Sequence, residues 1–215
     1  MDQALIVFAK RPEPGRVKTR LTAALTPTEA AALYRAFLLD ALDQYVTLEA
    51  DVRLYLASAG GEAFEPTPDP VAQFSQVGDG LGERMRRAFD DTLAVGYRRA
   101  VIIGTDHPTL PSAFVEQAFT ALDAPDSLVL GPSTDGGYYL LGMNGFYPQV
   151  FEGMTYSHGR VFANTMARAA CTEAGLTILP LWYDVDEPGD LQRLADELAA
   201  HPDQAPRTQA MLATL

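Results

Sequence analysis

The residues best equipped for chemistry fall into a few short clusters. The densest is a cationic one: Lys10, Arg11, Arg16, Lys18 and Arg20, five basic side chains within eleven positions of an otherwise acidic chain. Pro12, Pro14 and Gly15 are interleaved with them, which argues for a shaped loop and against a helix. Such a loop suits an anion, and a nucleotide's phosphates are the first candidate. Carboxylates supply the second kind of chemistry. Asp106 ends the apolar run Val101-Ile-Ile-Gly-Thr-Asp106, and Asp186 closes Asp184-Val-Asp186. Each could cap a following helix, since Asp is a good N-cap. Each could equally offer hard oxygen ligands to Mg²⁺ or Mn²⁺ bridging phosphates. Lys18 and Arg20 would then stabilise charge growing on a leaving phosphate. Asp135-Gly-Gly137 reads as a tight turn, with an acceptor-binding or base role for Asp135 as its competitor. Gly78-Asp-Gly80-Leu81-Gly82 precedes a helix, and its amides could face an anion or a base. His107 is expected at the edge of such a site. His158 is structural or acceptor-side, and Trp182 and Tyr183 belong to the core.

These groups can meet only if the right elements carry them. Ala4–Ala9 reads as a strand apolar on both faces, as in the middle of a parallel sheet. Thr26, Pro27 and Glu29 form a capping-box start for a helix running to about Tyr45. Further strands are expected at 52–57, 71–77, 100–104, 127–131, 138–143 and 177–183, with a Gly- and Pro-rich loop at 60–70. Helices are expected from Gly82 to Gly96 and over 112–122, 158–174 and 190–200, then a short helical tail. Alternating strands and helices predict an α/β fold of three αβα layers, Rossmann-like, with a mostly parallel mixed sheet. Residues 1–215 read as a single domain, with no linker or repeat. In a parallel sheet the basic loop, Asp106, Asp135 and Asp186 all gather at the carboxyl edge, where open α/β sheets bind ligands.

The totals narrow the class. A chain of 215 residues with 47% hydrophobic residues can bury a large core without staples. Its net charge of −12 argues against binding nucleic acid or an anionic membrane. No apolar run is long enough to span a bilayer. The single cysteine, Cys171, forms no internal disulfide and is expected to pack on a helix. A strand at the very start leaves no room for a signal peptide, and the expectation is a cytoplasmic protein.

Five segments occur in a telling order: Phe8-Ala-Lys-Arg-Pro-Glu-Pro-Gly-Arg-Val-Lys-Thr-Arg-Leu21, Gly80-Leu-Gly-Glu-Arg-Met85, Ile103-Gly-Thr-Asp-His-Pro-Thr-Leu110, Gly131-Pro-Ser-Thr-Asp-Gly-Gly-Tyr-Tyr139 and Asp184-Val-Asp-Glu-Pro-Gly-Asp-Leu191. Together they resemble the bacterial GT-A-fold nucleotide-diphospho-sugar transferases, including glycosyltransferases associated with arsenosugar biosynthesis. They are also similar to the wider nucleotidyltransferases, among them the phospholactate guanylyltransferases and the molybdenum-cofactor nucleotidyltransferases. The resemblance implies a nucleotide over the first loop and a divalent metal, Mg²⁺ or Mn²⁺. On it, Lys18 and Arg20 match phosphate contacts, beside Lys10, Arg11, Gly15 and Arg16 that the loop's own composition assigns to phosphate binding, and Gly80, Leu81 and Gly82 lie near the base or ribose. Asp106 and Asp186 become metal ligands; with the base role read for Asp135 from its own turn, the expected catalytic residues are Lys18, Asp106 and Asp135. The loop departs from the nucleotidyltransferase pattern in keeping only Gly15. The usual glycosyltransferase Asp-x-Asp is reduced here to Asp106. The expected activity is glycosyl transfer from a nucleotide-diphosphate sugar to a small-molecule acceptor. The alternatives are nucleotidyl transfer from a nucleoside triphosphate with release of pyrophosphate, and nucleotide binding without turnover. Oligomeric state is not expressed in the sequence.

Overall fold

A computed structural model describes residues 2–57 and 63–215. Strand β1 (Gln3–Lys10) lies in the middle of a seven-stranded sheet. It pairs in parallel with β2 (Asp51–Ala57) on one side and with β4 (Arg99–Ile103) on the other. The sheet continues outward through β3 (Ala72–Ser75) beyond β2. Beyond β4 it continues through β6 (Tyr138–Met143), β5 (Ser127–Pro132) and β7 (Gly175–Ile178). The order is β3-β2-β1-β4-β6-β5-β7, and only β6 runs against the rest. The chain winds outward in both directions from β1, so the exits of β1 and β4 flank a crevice at the carboxyl edge.

Alternation along β1 builds two cores. Leu5, Val7 and Ala9 face helix α1 (Pro27–Tyr45) and helix α3 (Ser112–Ala121). Ile6 faces α2 (Leu81–Ala94) and α4 (Val161–Ala169) on the other side. Sheet and covering helices make the three layers expected. Helix α1 starts as read: Thr26 Oγ1 accepts from Glu29 N, and Glu29 Oε2 accepts from Thr26 N at 2.7 Å. Its second stripe, with Leu33, Tyr34 and Phe37, packs on Val17, Leu21, Val185 and Leu194. That third core belongs to α5 (Pro188–Ala200), α6 (Pro206–Leu212) and a 3-10 turn at Thr19–Ala23. No helix among the described residues is long and apolar enough to cross a membrane.

Several boundaries move. The basic loop is irregular only to Lys18, because burying Leu21 winds Thr19–Ala23 into the 3-10 turn. The last strand ends at Ile178 and not Tyr183, since Pro180 has no N–H for the ladder. The chain rejoins only through a bridge between Trp182 and Ser133. Helix α4 stops at Ala169, not Ala174: three-residue bonds tighten its end, and Thr172 Oγ1 takes the Ala169 carbonyl. Cys171 therefore falls in an exposed turn, not in a packed helix. The expected loop at 60–70 is irregular from residue 63 on, and its start lies outside the described residues.

Candidate active site

Lys18 is the centre of the site. Val17 and Leu21, both buried, anchor the chain on either side of it. Turning between them puts Lys18 at φ 46°, ψ 40°, the left-handed region that a non-glycine residue enters at a cost of about 1 kcal/mol. That backbone directs the side chain inward, where it is 2% exposed. Its Nζ donates to Asp186 Oδ1 at 2.9 Å and pairs with Asp106 Oδ1. The rings of Tyr34 and Phe37 each lie 5.8 Å from Nζ and enclose the stem. Burial alone would push the ammonium toward neutrality. The Asp106 and Asp186 carboxylates outweigh it and hold the Lys18 pKa above its ordinary value. Burial would likewise raise Asp106, but Lys18 outweighs it and keeps Asp106 ionised.

The backbone fixes this geometry. Val185 N donates to the Asp106 carbonyl at 2.8 Å, tying the segment after β7 to the end of β4. Asp190 Oδ2 accepts from Asp186 N and Glu187 N, which caps α5 and holds Asp186 in place. The cap of α5 is thus Glu187 with Asp190, and α3 begins only at Ser112 after Pro111. Neither Asp106 nor Asp186 caps a helix, so the capping alternative falls for both. Tyr34 Oη accepts from Lys10 N at 3.1 Å and bonds Thr105 Oγ1 at 2.9 Å, joining α1 to the exits of β1 and β4.

The other sequence candidates divide. Arg20 joins the cluster, with Nη1 3.9 Å from Asp186 Oδ2. Arg16 turns away to pair with Glu13 at 3.3 Å and is largely exposed. Lys10 is exposed, and Arg11 is half-buried on the same loop, which turns through Gly15 at φ 75°. Gly80 caps α2, Leu81 is exposed, and Gly82 lies beneath Tyr156. These three share the carboxyl edge, since β3 is parallel to β2, but share no bond with the lysine cluster. Asp135 Oδ1 accepts from Gly137 N at 2.7 Å, so it shapes the turn from β5 to β6. Gly136 has φ 85°, and a Cβ there would stand 2.2 Å from the Gly159 carbonyl oxygen. The turn is thereby packed against the exposed segment 157–160, which contains His158. His107, expected at the edge of the site, is buried edge-on to Tyr139, and burial pushes its pKa down to about 4.

Asp184 was missed. Ser133 Oγ donates to its Oδ2 at 2.7 Å. Burial raises its pKa to about 7 despite that bond, with help from Asp106, Asp135 and Asp186 nearby. Four carboxylates thus share one field. The signal was present: Asp184 and Asp186 flank buried Val185 in an extended segment, where alternate residues share a face.

The resemblance implies a divalent metal, and the donors at the site bear on whether one fits. Among the described residues, no group of three or more His, Cys, Asp or Glu side chains could hold a metal ion. Two carboxylates of hard oxygen donors do converge, at Asp106 and Asp186. That set suits Mg²⁺ or Mn²⁺ when phosphate oxygens and water complete the shell. Lys18 now bridges both carboxylates through one oxygen of each.

Comparison with known proteins agrees with this architecture. A crystal structure from Desulfovibrio desulfuricans G20, provisionally described as a nucleotide-diphospho-sugar transferase, is 32% identical. The match covers 99% of this chain and 94% of that one, with a TM-score of 0.89. The 3-phospho-D-glycerate guanylyltransferase of Phenylobacterium zucineum (strain HLK1) is 28% identical, covering 83% of this chain and 84% of the relative. CMP:2-keto-3-deoxy-manno-octonic acid synthetase, solved with CTP, shares the fold at a TM-score of 0.54 and 12% identity over 94% of this chain and all of that one. The chain is an enzyme of the transferase class, with the fold of the nucleotidyl and glycosyl transferases. A family profile described as "Uncharacterized protein conserved in bacteria (DUF2064)" matches residues 39–158, and the chain belongs to that family.

Proposed function

We propose that this protein transfers a group from an activated nucleotide whose phosphates lie on the loop Lys10–Arg20, with glycosyl transfer from a nucleotide-diphosphate sugar as the reaction. The observation that carries the reading is the buried Lys18 ammonium joined to Asp106 and Asp186 at the foot of that loop. A cation so placed meets the negative charge that grows on a departing diphosphate. Lys18 and Arg20 hold the leaving group while the bond from the anomeric carbon to the phosphate oxygen breaks. An acceptor hydroxyl forms the new bond and gives up its proton to a carboxylate. Asp135, beside the exposed segment 157–160, stands on the acceptor side. Asp184, at about 7, has the proton affinity a base needs near neutral pH. A divalent metal on Asp106 and Asp186 would neutralise phosphate charge. Gly80–Gly82 contacts the base or ribose.

Nucleotidyl transfer is the second reading. The guanylyltransferase relative favours it, and so does the cationic loop Lys10–Arg20, whose charge suits a triphosphate. One experiment separates the two: the purified protein is melted with Mg²⁺ and, in turn, nucleotide sugars and nucleoside triphosphates, and the stabilising nucleotide is then assayed for release of nucleoside diphosphate or of pyrophosphate. Metal-dependent stabilisation by one nucleotide sugar with diphosphate release supports glycosyl transfer. Stabilisation by one triphosphate with pyrophosphate release supports the second reading. No stabilisation by either rejects both.

A further inference from the structure

The place of the Lys18 ammonium has a consequence for metal binding. Its Nζ is in bonding range of one oxygen on each of Asp106 and Asp186. Mg²⁺ coordinates carboxylate oxygens at roughly 2.0–2.1 Å. An ion bridging the same two oxygens would need the space that Nζ fills. The two cations also repel, and the buried ammonium, 2% exposed, is little screened by water on its own side of the half-exposed carboxylates. Lys18 is held there by two carboxylates, two rings and a left-handed backbone that also opens the 3-10 turn at Thr19–Ala23.

Resting on the reading of the site as a nucleotide-phosphate site, we propose that Lys18 is an internal counter-ion that occupies the metal position, and that a divalent ion binds only together with the phosphates that draw Lys18 away. The carboxylate pair alone is a poor metal site while Lys18 neutralises it. Incoming phosphate gives the ammonium a second set of anionic oxygens, and the vacated carboxylates accept the ion. Metal and nucleotide then bind with positive coupling, each raising the other's affinity by the same factor. A donor without metal, or metal without donor, leaves the site closed by its own lysine.

Two measurements test this, neither depending on turnover. The first counts free Mn²⁺ by electron paramagnetic resonance with wild type and with Lys18→Met, without nucleotide. Removing the competing charge should tighten Mn²⁺ binding at least about tenfold. Equal affinities overturn the proposal and leave the nucleotide reading intact. The second uses wild type and so does not depend on the variant folding. The chain has two lysines, Lys10 and Lys18, so ¹⁵Nζ-labelled lysine gives two resolvable signals. Mg²⁺ alone should leave the buried Lys18 signal in place, and Mg²⁺ with inorganic pyrophosphate should move it. A shift with Mg²⁺ alone, or none with both, overturns the exchange. Absence of Mn²⁺ binding by either protein, even with pyrophosphate, overturns both this proposal and the metal in the proposed reaction.

Discussion

Asp106 supports Lys18 from a half-exposed position, so its loss should be felt in chemistry more than in folding. Asp106→Asn leaves the ammonium its bond to Asp186, and water reaches the altered side chain. The stability cost is expected to be about 2 kcal/mol, the scale of one charge-assisted bond to a buried ammonium that keeps its other carboxylate. Turnover should fall by two orders of magnitude or more, as when one stabilising group is removed from a developing charge. Thermal melts beside donor turnover check it, and a variant that keeps its activity removes Asp106 from the mechanism. Two buried titrations make a second test. Asp184, raised to about 7, holds its proton better folded than unfolded. It adds stability at pH values below the unfolded value near 4, and loses that contribution as pH rises through 7. His107, lowered to about 4, works the other way: its contribution is present above the unfolded value near 6.5 and fades as pH falls through 4. The two oppose each other between pH 4 and 7. Asp184→Asn keeps an acceptor for Ser133 and removes one side of the balance. It should be more stable than wild type at pH 8, by on the order of 2 kcal/mol, and lose that lead toward pH 4. Denaturant midpoints across that range decide it.

At the scale of elements, the start of α2 shows how closely one loop is seated on another. Gly82 is in a helix, where alanine is ordinarily favoured by up to about 1 kcal/mol. A Cβ there would stand 2.6 Å from the Tyr156 ring, which must move. Overpacking of this kind costs about 1–3 kcal/mol and should win. Gly82→Ala is therefore destabilising alone, and neutral or stabilising in a Tyr156→Ala background; additive effects would show that the two do not meet. Contacts of this sort bound what the sequence could reveal. The rhythm of strands, the capping box at Thr26 and the gathering of Asp106, Asp135 and Asp186 at one edge were legible, because each rests on local chemistry or on the sense of a parallel strand. The ion pair between Lys18 and two residues far along the chain was not, because register between a loop and two strand exits is decided by packing. The roles of Asp106 and Asp186 as pair partners and not caps could be settled only by where α3 and α5 begin. Cys171 was misplaced for a related reason: the end of α4 is set by the Thr172 side chain competing for a carbonyl, which propensity does not weigh.

Across the whole molecule, α1 is the member that connects the site to the rest. One stripe packs on the sheet through Leu38, Leu42 and Tyr45, and the other carries Tyr34 and Phe37 against Lys18. A third attachment comes from the chain's far end. The buried Asp40 accepts from Arg207 N at 3.1 Å and Thr208 N at 2.7 Å, and pairs with the Arg207 guanidinium. This carboxylate satisfies the first amides of α6 and docks it on α1. Asp40→Ala strands the buried Thr208 N–H and removes a charge-assisted bond, at an expected cost of about 2–3 kcal/mol. The sheet-facing stripe still holds α1, so Tyr34 and Phe37 should keep their places. The expected result is a lower denaturant midpoint with turnover and nucleotide affinity at 25 °C unchanged. Should affinity fall with stability, the docking of α6 would be part of how Lys18 is held, and the C-terminal helix would belong to the site and not only to the fold.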